Sequence, residues 1–218
     1  LGDERAAGEG GMMRTPWLLA LPLLVLAANG GEAAAAGKKG VWMCSGYHST
    51  KTPAGEPYIT LYPVGSGHVW VHRHLGIDFC GPVGTPVISS THGKVVWTGS
   101  ENCGGGIIVE TDLGRRGKPI YAVYWHMNPA AGLLGRKLGP GDVIGAIQDP
   151  KKIAWWKKCV GPVPHVHYAL RTTLGPSLAY LNPNRYWAGG AGKFTCFRAK
   201  SRVPAGRAVA PVKCWGVR

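Results

Sequence analysis

The sequence predicts an all-β domain, mostly antiparallel, on three observations. Glycine (34) and proline (17) are in surplus for a chain of 218 residues, which favours short strands joined by tight turns. Short alternating or β-branched runs recur through the middle of the chain. No segment there sustains a helical period, and the stretch around Leu133 and Leu138 is the one helical candidate.

Residues 1–36 read as an upstream segment followed by a signal peptide. Arg14 precedes an apolar run from Trp17 to Ala28, too short to span a bilayer comfortably. The small residues Ala33 to Ala36 suit signal peptidase and place the mature start near Gly37. Leu1 to Gly11 contains Asp3, Glu4 and Glu9, unlike the basic head of a signal peptide, so Met12 or Met13 is the expected start. Residues 37–67, rich in Gly, Pro, Ser and Thr, read as an N-terminal arm tied down by Cys44 and by the stretch Tyr58 to Tyr62.

Residues 68–187 form the expected central domain. His68 to His72 alternates, and Lys94 to Trp97, Ile107 to Glu110 and Ile120 to His126 are further strand candidates. Gly-Pro, Gly-Thr-Pro and Gly-Gly-Gly punctuate them as turns require. Gly189-Gly190-Ala191-Gly192 then reads as a linker into a basic extension, 188–218. Its Cys196 and Cys214, with Phe194, Phe197 and Trp215, predict a small stapled hairpin, an ordered appendage instead of a solvated tail.

Charge and cysteines describe an exported protein. The chain carries 25 basic and 11 acidic residues. Residues 1–36 hold two of the basic and four of the acidic ones, so the mature balance is 23 against 7, or +16. Such a chain is drawn to polyanions such as cell-wall polymers, lipid head groups or stray nucleic acid. No nucleic-acid motif is present, which argues against that partner. Six cysteines in an exported chain imply disulfides and allow fifteen full pairings. Only Cys196 with Cys214, bracketing the basic tail, is assigned from spacing. No Cys-x-x-Cys occurs, so a thiolate zinc knuckle is not expected.

The chemistry rests on histidines. His74-Leu75-Gly76-Ile77-Asp78 places an imidazole and a carboxylate four apart, with Gly76 breaking any helix and bending the pair together. His165-Val166-His167 puts two imidazoles on one face of a strand. Two imidazoles and one carboxylate can hold Zn²⁺ and leave a fourth position open for water. One histidine of the His-x-His pair can bind metal while its neighbour faces water or substrate, as hydrolysis needs. Each motif alone is common by chance, but their joint occurrence in this order, with Tyr124-Trp125-His126-Met127 between, is not. His48, His68, His72 and His92 are read as having no part in the chemistry, His72 being close enough to His74 to be a candidate for backing it and nothing more.

These residues resemble the lysostaphin/LytM-type zinc metallopeptidases. The similarity runs through His74-Leu-Gly-Ile-Asp78-Phe, Gly84-Thr-Pro-Val87, Gly93-Lys-Val-Val96, Tyr124-Trp-His126-Met, Gly141-Asp-Val-Ile-Gly145 and Pro164-His165-Val-His167-Tyr, covering about His68 to Leu170. The resemblance implies Zn²⁺ on His74, Asp78 and His167, with His126 and His165 as the catalytic imidazoles. It implies a compact two-sheet β domain with an open groove, and an endopeptidase acting on stems or cross-bridges of bacterial peptidoglycan. One departure stands out: Gln148 to Val163 intervenes before His165, carrying Lys151, Lys152, Trp155, Trp156, Lys157, Lys158 and Cys159. This loop either borders the groove, offering aromatic faces and cations to substrate, or packs its tryptophans down under a disulfide.

The leading expectation is therefore an exported zinc metalloendopeptidase, periplasmic or extracellular, monomeric, and not inserted in a membrane after signal removal. Rival readings are a catalytically inactive wall-binding or hydrolase-activating module on the same fold, a secreted protease with protein substrates, and a basic carbohydrate-binding protein with incidental histidines. Inactive relatives typically lack a zinc or catalytic residue, whereas all five are present here.

Overall fold

A computed structural model describes residues 42–52, 54–55, 60–64, 67–115, 117–174, 179–200 and 202–214, all within the compact unit Gly31–Arg218. The expected signal peptide, Tyr58 and Trp215 lie outside the described residues.

The strands are β1 (Trp42–Ser45), β2 (Thr60–Val64), β3 (Gly67–Val71), β4 (Ile77–Cys80), β5 (Pro86–Ile88), β6 (Gly93–Glu101), β7 (Gly104–Arg115), β8 (Lys118–Trp125), β9 (Met127–Pro129), β10 (Lys137–Leu138), β11 (Val143–Ile147), β12 (His165–Arg171) and β13 (Tyr180–Leu181). The helical pieces among the described residues are α1 (Trp156–Cys159) and two 3₁₀ turns, Pro150–Lys152 and Pro183–Arg185. No described helix is long and apolar enough to cross a membrane.

The fold is antiparallel β, as expected. The main sheet has eight strands in the order β1-β4-β12-β8-β7-β6-β10, with β13 paired to β12. A second sheet, β5-β11-β9, supplies the opposing layer, and β2-β3 forms a separate hairpin. The strand alternation explains the layering. Ile107, Val109, Ala122, Tyr124, Val166, Tyr168 and Leu170 point to the core and meet Val87, Met127, Ile144 and Ile147 of the second sheet's strands. The alternate residues Ile108, Val123 and Ala169 form a smaller cluster on the other face with the partly exposed Val96, Trp97, Trp125 and Tyr180. One polar knot sits in the core: the Ser90 hydroxyl bonds the Tyr124 and Tyr168 hydroxyls at 2.7 and 2.9 Å. It satisfies three buried groups at once and pins β8 and β12, the strands that lead to His126 and from His165.

Two expectations are corrected. The stretch around Leu133 and Leu138 is not helical. Gly132 and Gly135 take left-handed φ values of 70° and 79°, which no helix can contain, and both leucines are buried from turns and from β10. The C-terminal extension carries its Cys196–Cys214 disulfide, yet it is no self-contained hairpin. Val203, Ala208, Val209, Ala210 and Val212 are buried, Val87 pairs with Val212, and Phe194 stacks on Phe79 while meeting Trp187 edge-on. Spaced apolar residues among arginines and lysines gave it a face to bury against the second sheet.

Candidate metal centre and peptidase site

Strand register builds the site. Ser45 pairs with Asp78, Asp78 with His167, and His167 with Trp125, so one row across β1, β4, β12 and β8 brings these side chains to the same face. The loop before β4 delivers His74. Its turn at Leu75-Gly76 does bend the chain as expected, but Gly76 has a second role. A Cβ there would lie 2.6 Å from Cε1 and Nε2 of His167 and 2.6 Å from the Tyr168 carbonyl oxygen. The His167 ring occupies the space that only glycine leaves.

Three donor atoms converge. His74 Nε2 lies 2.9 Å from His167 Nδ1, and each lies 3.0 Å from Asp78 Oδ1. All three residues are buried, and they form the group that could hold a metal ion among the described residues. The donor chemistry fits a cation. His74 Nδ1–H donates to the Gly46 carbonyl at 3.0 Å, with Ser45 Oγ 3.2 Å away. That contact assigns the tautomer and leaves the Nε2 lone pair facing the other two donors. A lone pair, a carboxylate oxygen and a second imidazole nitrogen packed this closely require a proton or a metal between them.

Burial works against a charged His74, but the Asp78 charge and hydrogen bond, with the Gly46 carbonyl, outweigh it and raise its pKa above 6.5. Asp78 is likewise buried, yet the charges of His74 and His165 and the hydrogen bonds from His167 and His74 hold its carboxyl well below the usual value. Burial lowers the pKa of His167, against the pull of Asp78.

Two further imidazoles flank the triangle. His165 sits two residues before His167 on the same face, with Nε2 3.8 Å from Asp78 Oδ1 and Nδ1–H donated to the Val163 carbonyl at 2.7 Å. His126 lies 4.9 Å from His165, centroid to centroid. It occupies the corner where the chain leaves β8 for β9 and so changes sheets. Its φ of 64° makes that corner, a left-handed conformation rare for a residue with a side chain. His126 Nδ1–H donates to the Cys103 carbonyl at 2.7 Å. Burial and the neighbouring His165 and His167 push its pKa well below 6.5. Both flanking imidazoles thus spend Nδ1–H on a backbone carbonyl and turn Nε2 toward the site.

The five sequence-predicted residues, His74, Asp78, His126, His165 and His167, are therefore brought together. His72 is not part of the site: it is exposed, and Ser45 and Gly46 support His74 instead. Nothing in Ser-Gly signals that role. It follows from the Cys44–Cys80 disulfide, which clamps β1 to β4. The inserted loop is tied by Cys103–Cys159, with Trp155 43 % exposed and Lys157 Nζ 5.6 Å from the Trp156 ring centre. Trp97 and Trp125, 5.1 Å apart, lie partly exposed on the site's face of the sheet.

The profile described as Peptidase family M23 matches residues 72–180, half of the chain. Among solved structures, the catalytic domain of the antimicrobial peptidase lysostaphin from Staphylococcus simulans is 24% identical, with 57% of this chain and 84% of that one covered and a TM-score of 0.42. A mutant catalytic domain of the prophage-encoded M23 protein EnpA from Enterococcus faecalis is 27% identical, with 59% and 91% covered and a TM-score of 0.42. Among proteins with curated functions, none matches this sequence.

Proposed function

Because the chain belongs to peptidase family M23, we propose that it is an exported zinc metalloendopeptidase that hydrolyses peptide bonds in bacterial peptidoglycan. The observation that carries this reading is the triangle of His74 Nε2, Asp78 Oδ1 and His167 Nδ1, 2.9 to 3.0 Å on a side, with two oriented imidazoles beside it. These three atoms would hold zinc, and the set leaves a position for water. When bound, zinc supplies Lewis acidity toward a water and the scissile carbonyl.

The chain's own groups do the rest. Asp78, held well below the usual carboxylate range, stays ionised and contributes negative charge to the donor set. His126, held neutral, offers Nε2 to accept a proton from the attacking water. His165 Nε2 faces the same space and is placed to return a proton to the leaving amine or to donate to the developing oxyanion. Fixing both rings through Nδ1 removes the cost of orienting them during the reaction.

The substrate assignment follows the resemblance and the surface. Partly exposed Trp97, Trp125 and Trp155 give flat faces for peptide planes or sugars, and Lys151, Lys152 and Lys157 attract stem carboxylates. Three disulfides suit an oxidising compartment, periplasmic or extracellular. The working form is a monomer whose partner is the anionic wall and not nucleic acid. The deciding experiment is incubation of zinc-loaded protein with purified wall, counting newly released amino termini. Stoichiometric zinc with no new amino termini would sink the endopeptidase reading in favour of a binding module.

A further inference from the structure

His126 is held from two sides by the same pair of loops. Its ring donates to the Cys103 carbonyl at 2.7 Å, and its own carbonyl accepts from the Gln148 N–H at 3.1 Å. Cys103 sits at the tip of a two-residue turn, Asn102-Cys103, between paired Glu101 and Gly104 of β6 and β7. Gln148 opens the inserted loop. The two loops are laced together: the Gly105 N–H donates to Gln148 Oε1 at 3.1 Å, the Trp155 N–H donates to the Asn102 carbonyl at 2.9 Å, and Cys103 is bonded to Cys159. Asn102 is exposed and both cysteines are partly exposed, so water competes for the hydrogen bonds near the tip. The disulfide is the tie that water cannot replace.

The residue being held needs holding. A non-glycine residue at φ 64° persists only where its surroundings impose that conformation. A hairpin tip that swings outward takes the Cys103 carbonyl with it, and the ring then loses both its orientation and its tautomer.

We propose that the Cys103–Cys159 disulfide is the positioning element of His126, so that the site becomes competent when this bond forms. In forming it, two thiols give up two protons and two electrons to a disulfide-bearing oxidant, which leaves as a dithiol. Opening this bond alone leaves the zinc triangle, whose support runs through Cys44–Cys80, but removes the fixed proton acceptor. This inference rests on the peptidase reading above.

The test is Cys103→Ser with Cys159→Ser in the otherwise full chain, loaded with zinc. Zinc stoichiometry and the circular dichroism spectrum stay as in wild type. kcat falls about tenfold to a hundredfold, the cost of displacing a reacting group by roughly 1 Å, while KM for a soluble peptide stays within about twofold. Nitrogen-15 spectra of the imidazoles give a readout independent of activity. The His126 Nδ1–H resonance broadens or disappears, while that of His165, donated to Val163, persists. A wild-type protein without peptidase activity would refute the functional reading alone, because the His126 signal still tests the positioning. If the serine variant does not fold, wild type is titrated with reductant until peptide mapping shows this bond open and Cys44–Cys80 still closed, and the same signals are read. An unchanged His126 resonance, or kcat within twofold of wild type, overturns the proposal.

Discussion

Gly76→Ala offers the sharpest test of how the metal centre is built. Gly76 is not among the glycines with positive φ, so alanine meets no backbone objection there. The objection is space. The added methyl would sit 2.6 Å from two atoms of the His167 ring and 2.6 Å from the Tyr168 carbonyl oxygen, against a comfortable separation of about 3.5 Å. The carbonyl belongs to β12, paired on both sides and unable to retreat. The ring must therefore move by about 1 Å, and metal ligands tolerate about 0.2 Å. Zinc affinity should fall by about 10- to 100-fold, the loss typical when a ligand's support is removed. Overpacking should cost about 1–3 kcal/mol in addition, about 2–12 °C in Tm for a domain of this size. Competition with a chromophoric chelator measures the first effect, and melts in chelator isolate the second. Wild-type zinc affinity in the alanine variant would refute the claim that the His167 ring depends on this gap.

Other outcomes follow from the same geometry. His126→Ala and His165→Ala should each keep zinc and lose about 10²- to 10⁴-fold in turnover; loss of zinc from either would exchange the roles within the His-x-His pair. Zinc affinity should weaken on the acid side: burial opposes but Asp78 raises the His74 pKa above its ordinary value, and His74 must be unprotonated to bind, so protons compete increasingly as pH falls. A dissociation constant, measured by chelator competition, that does not rise between about pH 7.5 and about pH 5 would contradict this. Truncation after Gly192 should abolish cooperative melting, because it uncovers Trp187, Phe79 and Val87, each no more than 1 % exposed; a truncated protein that melts cooperatively and binds zinc would restore the view of the tail as an appendage.

The site was legible because its chemistry is concentrated in short segments. His-x-x-x-Asp needed only a bend, and His-x-His only a strand, so spacing carried the local geometry, while the choice of His167 as ligand and the role of His126 came from the family resemblance. The Tyr124 and Tyr168 beside these motifs looked like pattern, and only the fold shows their hydroxyls meeting on Ser90. What spacing could not show is what supports the ligands from elsewhere in the chain. Ser45 and Gly46 reach His74 through a disulfide, one of fifteen possible pairings of six cysteines. The same degeneracy hid Cys103–Cys159, and with it the link from the inserted loop to His126. The tail misled for another reason: a run of arginines and lysines without acids hides the apolar side chains between them, which bury well beneath snorkelling cations.

That burial has a consequence for the order in which the molecule can be made. Phe79, next in sequence to Asp78, is covered by Phe194, and β5 is completed by Val212, both most of the chain's length away. A polypeptide emerging from its N-terminus presents His74 and Asp78 early but finishes the layer around them last. Without residues 193–214, Phe79 and Val87 lose these partners and the core is left open on that side. A copy clipped before Phe194 therefore loses core packing next to Asp78, and not merely a surface tail.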